Sequence, residues 1–138
     1  MAEGTITVEL CAPERDPIEF TVREAMFPGA GGVFTVRPGH TSLLTTLIAG
    51  VVVLKVDGNE DQYFAVSDGF AEVRGDRVRV LSSVFESGQD VDVTRAQAAQ
   101  ERAESRLRKP GEDTDLARAE LAIHRAMARL QASKRQGY

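Results

Sequence analysis

Val51-Val52-Val53-Leu54-Lys55-Val56-Asp57-Gly58 is a β-branched run that stops at an Asp-Gly pair, and Tyr63-Phe64-Ala65-Val66 takes the run up again. β-branched side chains crowd a helical turn but sit comfortably on a pleated strand. Asp-Gly between two such runs predicts a hairpin. Outward from this pair, the same grammar recurs as alternation of apolar and polar residues. Ile6, Val8 and Leu10 fall on one face of a run from Thr5 to Leu10, and Ile18, Phe20 and Val22 repeat it beyond Pro13 and Pro17. Val78 and Val80 do so again in Arg77-Val78-Arg79-Val80-Leu81. Gly69, Gly75 and the Pro-Gly pairs at 28–29 and 38–39 punctuate further short strands. Residues 1–90 are therefore predicted to form an antiparallel β-sandwich or barrel, and no parallel βαβ pattern occurs in them.

The pattern changes at Val91. Residues 94–109 contain no glycine, no proline and no alternation, but many Ala, Arg, Glu and Gln, which are strong helix formers. Thr94 with Gln97 three residues on predicts a capping box, and Ala96, Ala99, Ala103 and Leu107 recur on one helical face. Pro110-Gly111-Glu112-Asp113 breaks this helix. A second one is predicted over 115–133, with Leu116, Ala119, Ile123, Ala126 and Leu130 inward. Residues 91–138 thus read as an antiparallel two-helix hairpin after the β domain. Alanine buries little area, so such a hairpin has to lean on the β domain, on a partner or on a ligand, and can switch between them.

Charge divides the chain at the same place. Of 21 acids and 17 Lys and Arg residues, 14 acids and 7 bases fall in 1–90, and 7 acids and 10 bases in 91–138. The acidic body argues against nucleic-acid binding, whereas the basic arm fits an anionic partner. Met1-Ala2-Glu3-Gly4 shows no basic region with an apolar stretch behind it, which argues against a secretory leader. The greasiest stretch, residues 43–54, falls short of the roughly 20 apolar residues of a membrane helix, so membrane association is expected only through a partner. Cys11 is the only cysteine, which excludes an intrachain disulfide.

Few motifs carry chemistry. Gly29-Ala30-Gly31-Gly32 lacks the Lys-Ser or Lys-Thr of a phosphate loop, and Phe34 stands where a dinucleotide fingerprint needs glycine, so these glycines are read as turn and close-contact residues. Arg74-Gly75-Asp76 is read as a hairpin turn. His40 and His124 have no acid or cysteine at metal-ligand spacing, and both are read as structural. No nucleophile, carboxylate pair or metal cluster suggests catalysis. The arginines of the hairpin stand out. Arg95, Arg102 and Arg106 are spaced by 7 and 4, as are Arg118, Arg125 and Arg129, so each set forms a stripe. Glu101, Glu104 and Glu120 intersperse them as on an ordinary solvated face, which is one reading; the other is that two such stripes facing each other repel unless a polyphosphate or an acidic protein surface lies between them.

Pro28-Gly29, Val36-Arg37-Pro38-Gly39-His40, Leu43-Leu44, Gly50-Val51-Val52-Val53, Gly69-Phe70-Ala71-Glu72-Val73 and Arg125-Ala126-Met127-Ala128-Arg129-Leu130 together resemble the epsilon subunits of F-type ATP synthases, in order and spacing and over nearly the whole chain. The resemblance implies a non-catalytic rotor subunit of the central stalk, peripheral at the cytoplasmic face of the bacterial plasma membrane. Its β-sandwich would bind the gamma subunit and the c-ring. Its hairpin would either fold down on the sandwich or extend along gamma toward the catalytic alpha/beta head, where it restrains ATP hydrolysis. In some bacterial members ATP binds through an Ile/Leu-Asp-x-x-Arg-Ala motif, which stands here as Val91-Asp92-Val93-Thr94-Arg95-Ala96, with valine a departure at the first place. On that likeness Asp92, Ala96 and Glu86 lie near adenine, Arg95, Arg102, Arg125 and Arg129 near the phosphates, and ATP is a regulatory ligand. A stand-alone ATP-binding regulatory module and a free-standing small enzyme are the competing readings.

Overall fold

The computed structural model describes residues 4–137; residues 1–3, where the leader reading begins, and residue 138 lie outside them. The strands are β1 Ile6–Cys11, β2 Ile18–Val22, β3 Glu24–Gly29, β4 Gly32–Val36, β5 Leu43–Thr46, β6 Gly50–Lys55, β7 Gln62–Ser67, β8 Phe70–Arg74, β9 Arg77–Leu81 and β10 Val84–Ser87. Two helices follow, α1 Val93–Arg108 and α2 Leu116–Arg135. The strands make two five-stranded sheets, ordered β2-β1-β9-β8-β5 and β10-β7-β6-β3-β4. This is the β-sandwich followed by a helical hairpin that the sequence predicts.

The alternation places the core. Ile6, Val8, Leu10, Val78 and Val80 from the first sheet meet Val52, Leu54, Phe27 and Phe85 from the second, all at most 2% exposed. Three short connections match their sequence readings. Gly29 pairs with Gly32 around Ala30-Gly31, Arg74 pairs with Arg77 around Gly75-Asp76, and residues 56–61 join β6 to β7. In the last, Asp57 and Gly58 are the two central residues of a turn closed by the Asn59 N–H on the Val56 carbonyl, and the loop runs on to residue 61 before β7 resumes.

One strand pair departs from an antiparallel sheet. β1 and β9 run parallel, with Val8 opposite Val78 and Leu10 opposite Val80. No βαβ pattern announces this pair, since four of the seven strands between β1 and β9 lie in the other sheet and no crossover helix joins them. The helix ends also shift. The side chain of Asp92, not Thr94, caps α1 by accepting the Arg95 N–H at 3.0 Å, and Asp115 caps α2 in the same way from Arg118 N–H at 3.1 Å. An Asp ahead of the first turn takes the orphan amide as well as a threonine does and adds charge against the helix dipole.

α2 lies between α1 and the second sheet. Ala96 and Ala103 of α1 and Ala119 and Ala126 of α2 are buried in the hairpin, while Ala128 and Ala132 sit on Ala65 of β7, with Val51 and Tyr63 beside them. Nearly all the large buried side chains belong to strands.

Gly69 turns the chain from β7 in one sheet to β8 in the other. Its φ of +108° lies where L side chains are strained, and a Cβ there would overlap the Leu81 carbonyl. Gly69→Ala is expected to lower stability to urea by about 2–4 kcal/mol, from backbone strain and overpacking together. Chemical unfolding followed by circular dichroism reads this, and a loss below about 1 kcal/mol would mean that this corner can relax.

Candidate functional site

Where α1, α2 and β10 meet, they enclose a cavity of about 400 Å³ lined by Glu86, Asp90, Asp92, Arg95, Ala96, Ala99, Arg102 and Arg129. The chain builds it economically. Asp92 is the cap and Arg95 the third residue of α1, Arg102 lies two turns on, and Ala96 and Ala99 between them leave the open space. Arg129 enters from α2 and Glu86 from β10. Their side chains meet, Arg129 Nε to Glu86 Oε2 at 3.2 Å, and both are about one-third exposed. Three carboxylates and three guanidiniums therefore share one cavity, which suits a ligand with an anionic part and a part that donates hydrogen bonds.

Of the residues singled out in the sequence, Glu86, Asp92, Arg95, Ala96, Arg102 and Arg129 line this cavity together. Val91 and Arg125 do not. Arg125 lies one turn toward the hairpin tip, and it shares a narrow crevice with Arg129 over Ala65, Val66, Ser67 and Val84. The two arginine stripes also part company. Arg106 and Arg118 line a separate cavity at the tip with Gly111, Thr114 and Asp115. A spacing of 7 and 4 puts residues on one stripe, but over eleven residues that stripe rises about 16 Å, longer than one cavity. Two lining residues had weak signals. Ala99 is on the inward face already read, whereas Asp90 precedes the cap in a turn that no periodicity marks.

A second feature lies on the outer face of the first sheet. Cys11, Leu81, Phe70 and Thr46 follow one another across β1, β9, β8 and β5, beside Leu44. Leu44, Phe70 and Leu81 are 70%, 50% and 44% exposed, an apolar strip of the kind that marks a protein contact. Next to it Glu9 receives the Cys11 thiol at 3.2 Å and Arg77 at 2.7 Å, with Arg79 at 3.5 Å. The thiol and Arg77 hold the Glu9 carboxyl below its ordinary value, and burial together with Glu9 pushes the Cys11 thiol up. Cys11 is thus a protonated hydrogen-bond donor, the reverse of an activated nucleophile. The Glu9 contribution is present above ordinary carboxylate pKa values and fades as pH falls through its lowered one. Among the described residues no group of His, Cys, Asp and Glu is placed to hold a metal ion, and no helix is long and apolar enough to cross a membrane.

A β-sandwich with an alanine-rich helical hairpin docked on one sheet, a charged cavity at their junction and an apolar strip on the other sheet defines a small two-part protein, a β body carrying a helical arm. Residues 5–88 match the model of the ATP synthase delta/epsilon chain β-sandwich domain, and residues 89–134 that of the ATP synthase delta/epsilon chain long α-helix domain. The ATP synthase epsilon chain of Desulfosudis oleivorans is 42% identical over 107 residues, 78% of this chain and 80% of that one. That of Brevibacillus brevis is 43% identical over 102 residues, 74% and 77% of the two chains. In fold the chain is similar to a chain of the Euglena gracilis mitochondrial ATP synthase OSCP/F1/c-ring structure, with TM-score 0.82, 20% identity, and 95% of this chain and 82% of that chain covered. This protein belongs to the delta/epsilon chain family of ATP synthase, as an epsilon chain. It is a subunit of that complex and not a catalytic subunit by itself.

The Glu86–Arg129 pair is the one ion pair joining sandwich and hairpin among those formed by the described residues. Because both groups remain partly solvated, a double-mutant cycle of Glu86→Gln and Arg129→Gln, read by thermal unfolding, is expected to give a coupling of about 1 kcal/mol or less. A coupling above about 2 kcal/mol would show that the pair, rather than alanine packing, holds the hairpin down.

Proposed function

We propose that this epsilon chain is a rotor subunit of a bacterial proton-translocating ATP synthase whose hairpin is a nucleotide-controlled brake. In this reading residues 1–90 bind the gamma subunit and the c-ring, and the chain sits at the cytoplasmic face of the plasma membrane through the complex alone. Residues 91–138 restrain ATP hydrolysis when extended toward the alpha/beta head, and ATP bound between the helices holds them folded down. The observation that carries this is the junction cavity. It takes Arg95 and Arg102 from one helix, Arg129 from the other and Glu86 from the sandwich, so it is complete only when the hairpin is docked. A ligand that binds one state alone stabilises that state by RT ln(1 + [L]/Kd), so ATP favours the docked arm and its loss releases it. The triphosphate would lie against Arg95, Arg102 and Arg129, with the base toward Glu86, Asp92 and Ala96. Arg125 reaches it only by turning from its crevice. The apolar strip of Leu44, Phe70 and Leu81 supports a protein partner for the sandwich.

Calorimetric titration of the full chain with ATP is expected to show saturable binding, weakened about tenfold or more by Arg129→Ala, since charge-assisted bonds to phosphate contribute about 1.5–3 kcal/mol each. No heat at millimolar ATP would leave the arginines to an acidic protein surface. In the assembled enzyme, deletion of 91–138 is expected to spare ATP synthesis and raise ATP hydrolysis. Loss of gamma binding in that deletion would overturn the division of labour.

A further inference from the structure

The ladder between β10 and β7 does not stop where β10 stops. Gly88 N–H still reaches the Tyr63 carbonyl at 2.8 Å, one residue past the strand. Beyond that point β10 has no more backbone to offer, because the chain turns away into α1. The next groups on that edge of β7 are the Tyr63 N–H and the Asp61 carbonyl. Both are taken by one side chain from the other end of the molecule. Gln136 accepts the Tyr63 N–H on Oε1 at 3.1 Å and donates from Nε2 to the Asp61 carbonyl at 3.3 Å. A primary amide carries the donor and acceptor of a peptide group, so Gln136 continues the ladder in place of a strand residue. Its own backbone stays in the helix cap, with its N–H on the Ala132 carbonyl, so the side chain ties α2 to β7. Arg135, one residue earlier, lays its guanidinium 4.9 Å over the Tyr63 ring. Directly above, Gly88 presses on α2 so closely that a Cβ on it would overlap the Ala132 carbonyl.

We infer that Gln136, seated by the Gly88–Ala132 contact, is the latch that sets how much of the hairpin is docked in the absence of any ligand. Apart from Arg135 on Tyr63, the docked face is mostly alanine beside Val51, and Arg129–Glu86 is solvated, so two hydrogen bonds to a strand edge weigh heavily in the open–docked equilibrium on which the proposed function rests. Opening breaks both and returns the Tyr63 N–H and the Asp61 carbonyl to water. The latch lies two turns beyond Arg129 on the same stripe of α2, outside the junction cavity, so it acts on the arm without touching what fills that cavity.

The test is a distance measured by electron paramagnetic resonance on the isolated full chain, without nucleotide, using spin labels on Thr21→Cys and Gln97→Cys in a Cys11→Ser background. All labelled variants share those changes. Gln136→Ala is expected to raise the ratio of open to docked hairpin about tenfold, the effect of losing two ordinary hydrogen bonds. Gln136→Glu, which can still accept from Tyr63 but sets a carboxylate against the Asp61 carbonyl, is expected to open it at least as far. Gly88→Ala is expected to release the arm with Gln136 intact, while the β-sheet signal in circular dichroism is kept. A change below twofold in both Gln136 variants would overturn the inference, whatever Gly88→Ala does. Because no nucleotide is present, this result stands apart from whether the junction cavity binds ATP.

Discussion

The close approach of α2 to the second sheet is the constraint on which the rest depends. Ala128 and Ala132 meet Ala65, and Gly88 meets the α2 backbone, so helix and sheet come nearer than any larger side chain would permit. That nearness brings Arg129 to Glu86 and Gln136 to the edge of β7. It also makes docking weak. A methyl group buries far less than a leucine, at about 0.8 kcal/mol per carbon removed from water, so the interface holds by fit and a few polar ties rather than by apolar area. A helix that leaves its platform, as the proposed function requires, would not be held to it with leucines.

The sandwich obeys the opposite rule. Its buried residues are large and come from both sheets, and Phe64 packs edge-on against Phe20 and Phe85. Little of that core needs the hairpin. One chain thus joins a body held by hydrophobic area to an arm held by small contacts, and the change from strand to helix near residue 90 is also a change in what stabilises the structure. The charge asymmetry follows the same line: the body is acidic and the arm basic.

Most of the fold was legible in the sequence because periodicity reports burial. Alternation at Ile6, Val8 and Leu10, or at Val78 and Val80, has no other economical cause, and alanines at helical spacing foretell a thin hairpin. What was not legible depends on long-range pairing. Nothing local in Thr7-Val8-Glu9 says that its neighbour is the parallel Arg77-Val78-Arg79. The candidate site was legible where one helix turn carries it, as with Asp92, Arg95 and Ala96. Where two elements must be placed against each other, sequence spacing does not say which residue lines the cavity. Arg125 and Arg129 look equivalent on a helical wheel, yet only Arg129 meets Glu86 and lines the junction cavity. Gln136 carried no signal, because a glutamine at a helix end is ordinary until the edge it covers is known.

Two of the ties between arm and body differ in kind. Arg129–Glu86 joins charges that an anionic ligand can re-sort, since phosphate offers the guanidinium a better partner than a solvated carboxylate does. Gln136 with the edge of β7 is neutral and indifferent to such a ligand. If the ionic tie alone held the arm, an anion drawing Arg129 off Glu86 would loosen the docked state while binding to it, and the two effects would partly cancel. With a neutral tie two turns away, the contacts that the proposed ligand would make to Arg95 and Arg102 would add to a dock that persists. In the proposed reading, separating the group that senses from the group that holds would let a cavity at the junction govern the arm.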